Sequence, residues 1–310
     1  MAEYKGTREA FATALMDLAK DDSNVMLVSA DSLKAMRATA FADKYPKQYV
    51  EVGIAEQATV AVSAGMAASG LTPFAATYAG FLTMRACEQM RTFTAYPNLN
   101  VKFIGINSGL VGGEREGVTH QFYEDLGILS SIPNITIFTP ADAGQMYGAV
   151  IEAYKINGPV YIRAGSGREP DVYEKNVQFS QDGVTILRDY GKDAVLFASG
   201  FILDRVLNAA ELLKAAGILV TVADVNILNA ADKTKMLSIL KSTKRVFTIE
   251  DHNVNGGLGS SICHLACENH PVSVTRIGLR TFAESGPAAE LADHYGFSPE
   301  KIAATVKSVI

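Results

Sequence analysis

The sequence predicts an α/β protein of two domains, because short apolar segments alternate with longer helical patterns twice along the chain. The chain has 310 residues, of which 48% are hydrophobic and 20% are charged. A single hydrophobic core usually stops growing at about 250–300 residues, so this length favours two domains. We expect a first domain at residues 1–170, a linker at 171–189 and a smaller α/β domain at 190–310.

The first predicted domain contains a parallel sheet flanked by helices. Brief runs rich in Val and Ile predict buried strands, since parallel strands covered on both faces are apolar throughout. These runs are Val25–Ser29, Val101–Ile106, Ile135–Phe138 and Val160–Ile162. Apolar residues at three- and four-residue spacing predict helices that pack on the sheet. They occupy Thr7–Ala19, Glu56–Ala68, Phe81–Ala95 and Ala143–Tyr154.

The second predicted domain repeats this alternation after a polar connection. Between about residues 165 and 189 the periodicity fades and Gly, Arg, Pro, Asp and Lys dominate, which is typical of a surface segment. Predicted strands follow at Ala194–Ala198, Val220–Val222, Val246–Ile249 and Val272–Arg276. Predicted helices lie at Leu203–Ala216, Lys233–Leu240, Leu258–Glu268 and Ala288–Tyr295. His252 precedes a glycine-rich turn, and we interpret it as a cap of the next helix or a partner of Asp251.

The composition excludes several classes of partner. The net charge is −5 and there is no long Lys/Arg run, so we expect neither nucleic acid nor a membrane as a partner. The amino-terminal residues lack the basic start and apolar core of a signal peptide. Three cysteines form no CxxC pair and no zinc-type cluster, which indicates reduced, structural thiols. We therefore expect a cytoplasmic protein.

Glu56 is the first candidate for chemistry. It follows a short strand-like stretch and Gly53, and it begins a predicted helix. Glycine permits an unusual turn, and junctions between strand and helix at a sheet edge often hold active sites. The alternative is that Glu56 only stabilises the helix N-terminus through the helix dipole.

Two further segments have residue types suited to a site. Tyr78 and Phe81 stand three apart after a strand-like stretch, and aromatic residues at this spacing can stack on a flat ring, although core packing is the commoner role. Residues 108–121 carry four glycines, three charged residues and His120 directly after a buried strand. This composition indicates a functional loop, in which His120 could bind substrate oxygens and transfer protons.

These segments resemble the transketolase family. Residues 53–57 read Gly-Ile-Ala-Glu-Gln, which is similar to the Gly-Ile-x-Glu-Gln/His motif of the pyrimidine-binding domain in transketolases and 1-deoxyxylulose 5-phosphate synthases. The resemblance implies that Glu56 bonds N1′ of thiamine diphosphate and activates it, with Ile54 beside the cofactor. A carboxyl group can hand over a proton there, whereas an amide cannot. By the same resemblance, Tyr78 and Phe81 line the pyrimidine pocket.

The loop and two isolated residues extend the resemblance. The stretch at 117–121, Gly-Val-Thr-His-Gln, is similar to the end of a transketolase loop, which implies a catalytic and substrate-binding role for His120. Glu116 would then read the hydroxyls of the acceptor. Asp31, in a Ser-Ala-Asp stretch, would lie near the thiazolium ring, or else it caps a strand end. Arg163 matches an arginine that reaches the substrate phosphate.

The departures from the family are also informative. Ala35 and Ile106 stand where transketolases have a serine and a histidine that bind sugar phosphate, which leaves sugar specificity open. No Gly-Asp-Gly occurs in the chain, although this motif and a later Asn hold Mg²⁺ and the diphosphate in such enzymes. The resemblance thus implies that this chain supplies no metal ligand. An N-terminal transketolase subunit would hold Mg²⁺, in an α2β2 assembly.

Our leading hypothesis is therefore the C-terminal subunit of a split transketolase, which transfers a two-carbon ketol group from a ketose phosphate to an aldose. One alternative is a β subunit of a 2-oxo acid dehydrogenase, which has similar length and a Gly-Ile-x-Glu motif. Another is half of a 1-deoxyxylulose 5-phosphate synthase. A non-catalytic protein that has kept the fold is the third. The donor, the acceptor and the pathway stay open.

Overall fold

The computed structural model of the protein describes residues 5–173 and 179–310. Residues 1–4 and 174–178, the latter within the predicted linker, lie outside the described residues. The chain divides into two compact units, and the division is discontinuous in sequence. The first unit consists of residues 1–108 and 128–179, and the second of residues 109–127 and 180–310. The segment 109–127, which includes His120, therefore belongs to the second unit. The predicted domain boundaries stay a prediction.

The first unit is built on a six-stranded, fully parallel sheet with strand order β2-β1-β3-β4-β6-β5. Its strands are β1 (Val25–Ser29), β2 (Tyr49–Glu51), β3 (Thr72–Tyr78), β4 (Lys102–Ile106), β5 (Thr136–Phe138) and β6 (Val160–Arg163). The helices from this part of the chain are α1 (Gly6–Asp21), α2 (Thr39–Lys44), α3 (Glu56–Ala68), α4 (Cys87–Gln89), α5 (Asp125–Ser130) and α6 (Ala143–Lys155). A 3-10 turn occupies Pro46–Gln48.

Helices cover both faces of this sheet. Every residue of β1, β4 and β6 is buried, as expected for central parallel strands whose side chains point alternately to two covered faces. Asp142 starts α6 by accepting the N–H of Gln145 at 2.8 Å, a typical N-cap. The predicted α/β class with a parallel sheet is confirmed.

The predicted helix at 81–95 differs from an ordinary α-helix. α4 is flanked by π-helical turns at Phe81–Arg85 and Met90–Ala95. The N–H of Tyr96, for example, donates to the carbonyl of Arg91, five residues back. Each π turn takes up more residues than an α turn and so rotates the side chains that follow it, and such turns are frequent at functional sites.

The second unit contains a smaller mixed sheet with strand order β11-β10-β8-β9-β7. Its strands are β7 (Val184–Asp189), β8 (Ala194–Ser199), β9 (Val220–Val225), β10 (Val246–Asn253) and β11 (Val274–Leu279). Its helices are α7 (Leu203–Ala215), α8 (Lys233–Lys241), α9 (Leu258–Asn269), α10 (Ala288–His294) and α11 (Pro299–Val309). β7 runs antiparallel to β9, and the other pairs are parallel.

Residues 184–189, which the sequence analysis placed in the linker, form β7. This edge strand is only partly buried, so it lacks the continuous apolar run by which the inner strands could be recognised. Among the described residues, no helix combines the length and the apolar character that a membrane crossing requires.

Candidate active site

Glu56 lies at the junction between β2 and α3. β2 ends at Glu51, Gly53 adopts a left-handed conformation with φ of +74°, and α3 starts with Glu56 itself. The side chain of Glu56 is almost fully buried, with 2% exposure. A carboxylate in the first turn of a helix is favoured by the helix dipole, but burial of its charge requires a further partner.

Arg85 is that partner, and it links Glu56 to the two predicted pocket aromatics. Its Nη1 donates to Oε2 of Glu56 at 2.7 Å. The guanidinium also lies over the ring of Phe81, 4.5 Å from the ring centre. Tyr78 and Phe81 make an edge contact with centroids 5.8 Å apart. The structure thus brings Glu56, Tyr78 and Phe81 together around one guanidinium, a role that the sequence analysis did not assign to Arg85.

The turn before Glu56 is held by a second carboxylate, Glu51. Its Oε1 accepts the N–H groups of Asp31 at 2.7 Å and Gly53 at 2.8 Å, and its Oε2 accepts the Tyr49 hydroxyl at 2.7 Å. Partial burial, together with this hydrogen bond, raises the pKa of Tyr49 to about 12, so the hydroxyl keeps its proton. No sequence signal distinguished Glu51 from an ordinary exposed carboxylate.

Three other predicted site residues of the first unit lie at or after the ends of strands. Asp31 follows β1 in a left-handed conformation with φ of +51° and an exposed side chain. Ile54 is 74% exposed, which is unusual for a large apolar side chain. Arg163 is the last residue of β6 and is buried. Carboxyl ends of parallel strands share one edge of the sheet, where ligands bind in open α/β folds.

Arg8 on α1 is a further residue that sequence reasoning missed. Its guanidinium donates to the carbonyls of Gly165 at 3.1 Å and Ala35 at 3.0 Å, and to Oδ1 of Asn107. Burial lowers the pKa of Arg8 from its ordinary value. This arginine therefore ties together the segments that contain Ala35 and follow Ile106, the two positions at which the family's polar contacts are missing.

His120 and Glu116 belong to the second unit. His120 is half-buried, its Nδ1 lies 3.0 Å from the Thr119 hydroxyl, and its N–H donates to the carbonyl of Gly117 at 2.9 Å. Glu116 is exposed. We call residues 109–127 the histidine loop. Its side chains have the chemistry predicted for them, and their roles stay a prediction.

The interpretation of His252 is wrong. Glu250, two residues earlier, caps α9 by accepting the N–H groups of Leu258 at 2.7 Å and Gly259 at 2.9 Å. Asp251 does not pair with His252, because its Oδ1 accepts the N–H of Leu110 at 2.6 Å. Alternate residues of a strand point to opposite sides, so adjacent Asp251 and His252 face different neighbours.

The donor groups fit one half of thiamine diphosphate better than the other. A buried carboxyl and two aromatic rings suit a flat aminopyrimidine with a basic ring nitrogen. In contrast, the described residues contain no group of three or more His, Cys, Asp or Glu side chains that could hold a metal ion. The pocket thus offers pyrimidine contacts without the oxygen ligands that Mg²⁺ requires.

Two family models match the chain. The transketolase pyrimidine-binding domain matches residues 3–167, and the transketolase C-terminal domain matches residues 182–302. Together they account for both units of the fold.

Individual proteins agree with these matches. A putative transketolase C-terminal section from Methanocaldococcus jannaschii is 33% identical over 97% of this chain and 95% of its own length. One of the subunits of an apulose-4-phosphate transketolase from Phocaeicola vulgatus is 33% identical over 96% and 95%. A solved structure described as a split gene transketolase, inactive beta4 tetramer, has a TM-score of 0.89 at 34% identity and covers 99% of this chain and 98% of that one. The chain therefore belongs to the transketolase family, and its extent is that of a C-terminal subunit.

Proposed function

We propose that this chain is the C-terminal subunit of a thiamine diphosphate-dependent transketolase, which transfers a two-carbon ketol group from a ketose phosphate to an aldose. The observation that carries the proposal is the buried Glu56 carboxyl beside the Tyr78 and Phe81 rings. When bound, the cofactor supplies a thiazolium that stabilises the negative charge left by cleavage of a carbon–carbon bond next to a ketone.

Within this proposal, each residue of the first unit has a defined task. Glu56 exchanges a proton with N1′ of the pyrimidine, because burial keeps water away from its carboxyl. Tyr78 and Phe81 stack on the pyrimidine, and Ile54 packs beside it. Asp31 offsets the thiazolium charge. Arg85 must give up its bond to Glu56 Oε2, or share that oxygen, when N1′ arrives.

The substrate contacts are also proposals. His120 orients the oxygens of the sugar and moves protons between them, Glu116 reads the acceptor hydroxyls, and Arg163 binds the phosphate. Because Ala35 and Ile106 replace two polar residues of the family, we leave the identity of donor and acceptor open.

A second chain is part of the proposal. It carries Gly-Asp-Gly and a later Asn, holds Mg²⁺ and the diphosphate, and forms an α2β2 assembly with this subunit. Exposed apolar side chains support a partner: Ile54 precedes α3, while Met84, Phe93 and the 84% exposed Tyr96 lie on the helical segment that packs against α3. The relatives described as subunits suggest the same division. A cytoplasmic location stays a prediction from the cysteine content.

Reconstitution tests the proposal. The purified chain should show no ketol transfer alone, and should form a lengthened ketose from hydroxypyruvate and an aldose once the partner, thiamine diphosphate and Mg²⁺ are added. Full activity of the isolated chain would contradict the division of labour. A requirement for pyruvate as donor would indicate a 1-deoxyxylulose 5-phosphate synthase, and acyl transfer to a lipoyl group a 2-oxo acid dehydrogenase. Absence of cofactor binding to the reconstituted pair would indicate a non-catalytic protein.

A further inference from the structure

The histidine loop is attached to the second unit at both of its ends. In sequence the loop follows β4 of the first unit, yet residues 109–127 cluster with residues 180–310. At its base, the N–H of Gly109 donates to the carbonyl of Phe122 at 2.6 Å. This bond closes the loop into a ring that contains His120.

Asp251 on β10 holds the first end. Its carboxylate is buried, and Oδ1 accepts the N–H of Leu110 at 2.6 Å. A short hydrogen bond from an N–H to a buried carboxylate belongs to the stronger class of such bonds. Gly109 has φ of +83°, and a Cβ at this position would lie 2.1 Å from Oδ2 of Asp251. Only glycine lets the loop approach the carboxylate this closely.

His252 and Asn253, the next residues of β10, hold the second end. Nδ1 of His252 lies 2.7 Å from the carbonyl of Asn253, which favours the tautomer with the proton on Nδ1. Nε2 then accepts the N–H of Gly127 at 3.3 Å. The N–H of Asn253 donates to the carbonyl of Tyr123 at 2.7 Å.

The middle of the loop is held by the segment 283–286. The N–H of Ala283 donates to the Tyr123 hydroxyl at 2.9 Å, and the N–H of Gly286 donates to the carbonyl of Glu114 at 2.9 Å. The Gln121 side chain donates to the carbonyl of Glu284 at 2.9 Å. Three separate segments of the second unit therefore fix the loop that presents His120.

The loop itself is tight enough to transmit this attachment. The N–H of Gly117 donates to the carbonyl of Gly113 at 3.0 Å, and the N–H of His120 donates to that of Gly117 at 2.9 Å. A Cβ on Gly113 would lie 1.9 Å from the carbonyl oxygen of His120. A displacement of the base at Gly109 and Leu110 must therefore move the residues around His120.

We propose that Asp251 is a positioning residue, which fixes the histidine loop on the C-terminal unit and so sets the place of His120. The catalytic consequence rests on the role proposed above for His120, whereas the attachment of the loop does not. Asp251 has no task in cofactor binding under this assignment. It acts only through the main chain of the loop.

The test compares three variants in the reconstituted complex. Asp251→Ala removes the acceptor, Asp251→Asn keeps an oxygen at the same place, and Asp193→Ala is the matched control. The control aspartate also accepts a main-chain N–H, that of Leu219 at 2.7 Å, but it precedes β8 and makes no bond to the loop. We expect Asp251→Ala to lower kcat about 10- to 100-fold, since a displacement of about 1 Å can cost this much. Asp251→Asn should recover most of the loss, and the dissociation constant of thiamine diphosphate should stay within about twofold.

A double-mutant cycle distinguishes positioning from general damage. In the His120→Ala background, Asp251→Ala should lower kcat by less than about threefold, because a residue that acts through His120 loses its effect when His120 is gone. An equal loss in both backgrounds would overturn the assignment.

Amide hydrogen exchange tests the attachment without activity. Asp251→Ala should accelerate exchange in peptides that cover residues 109–127, while peptides from β8 keep their rate. Unchanged exchange in the loop would overturn the proposal even if activity fell. If Asp251→Ala does not fold, Gly109→Ala breaks the same contact from the loop side and should give the same pattern. If the complex is active but His120→Ala is as active as wild type, the role of His120 fails, and the exchange result still decides the attachment.

Discussion

The pocket around Glu56 is built by residues close to one another in sequence, whereas the histidine loop is held by residues far away. Glu56 and its ion-pair partner Arg85 are 29 residues apart, but Leu110 and its acceptor Asp251 are 141 residues apart. The first contact lies between successive elements of one sheet layer. The second depends on a strand that the chain forms much later.

This difference concerns the kind of support as well as its distance. Glu56 is fixed by the start of α3, by its burial and by one guanidinium. His120 lies on irregular backbone and relies on hydrogen bonds from three segments. A site built this way can be disturbed at one half without the other, and mutations should separate the two halves.

The largest expected effect is on activity, from Glu56→Gln. Glutamine keeps the shape but cannot exchange the proton with N1′, so kcat of the reconstituted enzyme should fall about 10²- to 10⁴-fold. Glu88→Gln, an exposed change on the neighbouring α4, is the control. Activity within a factor of ten of wild type would break the assignment of Glu56.

A pH-dependent effect on stability is expected from Lys102 in β4. Its buried ammonium donates to the carbonyls of Ile156 at 2.6 Å and Gly158 at 2.8 Å, and burial lowers its pKa from 10.5 to about 7. Below pH 7 the lysine is charged in both states, and burial of that charge opposes folding. Between about pH 7 and 10.5 the unfolded chain holds the extra proton, so stability rises with pH.

Urea unfolding of Lys102→Met at several pH values measures this effect. The free energy of unfolding of wild type relative to Lys102→Met should rise by a few kcal/mol from pH 7 to 10. Lys20→Met, an exposed change on α1, should show no such slope. A pH-independent difference for Lys102→Met would mean that the lysine keeps its charge in the folded protein.

Arg85→Met should cost less, about 1–2 kcal/mol of stability, because the guanidinium is half exposed while the carboxylate left behind is buried. The loss should shrink when Glu56→Gln is already present, since no charge then needs a partner. Arg91→Met, an exposed change on the same helical segment, is the control. Equal losses in both backgrounds, measured by urea unfolding, would show that the ion pair contributes nothing.

The smallest effect is expected from Tyr49→Phe. It removes one of three hydrogen bonds to Glu51 at a half-buried site, so stability should change by less than about 1 kcal/mol. The affinity of the reconstituted enzyme for thiamine diphosphate should fall about 2- to 5-fold, because Glu51 also holds Gly53 before Glu56. An unchanged affinity in calorimetry would show that the turn is fixed without Tyr49.

The comparison also explains what could be predicted from the sequence. The inner strands and α3 are coded by local patterns, and Glu56 stands in a five-residue motif, so both were found. The π-helical turns next to Arg85 were missed, because periodicity alone does not reveal a turn that takes up more residues. Asp251 and His252 were misread, since their partners Leu110 and Gly127 are invisible to any reading of neighbouring residues.

The discontinuous second unit has a consequence for recombination between related genes. Residues 109–127 and 180–310 form one structural module, interrupted by part of another. A chimaera with a single crossover near residue 180 would join the loop of one parent to the anchoring strand of the other. Functional exchange between family members should therefore require two exchanged segments, the loop and the C-terminal half, inherited as a pair.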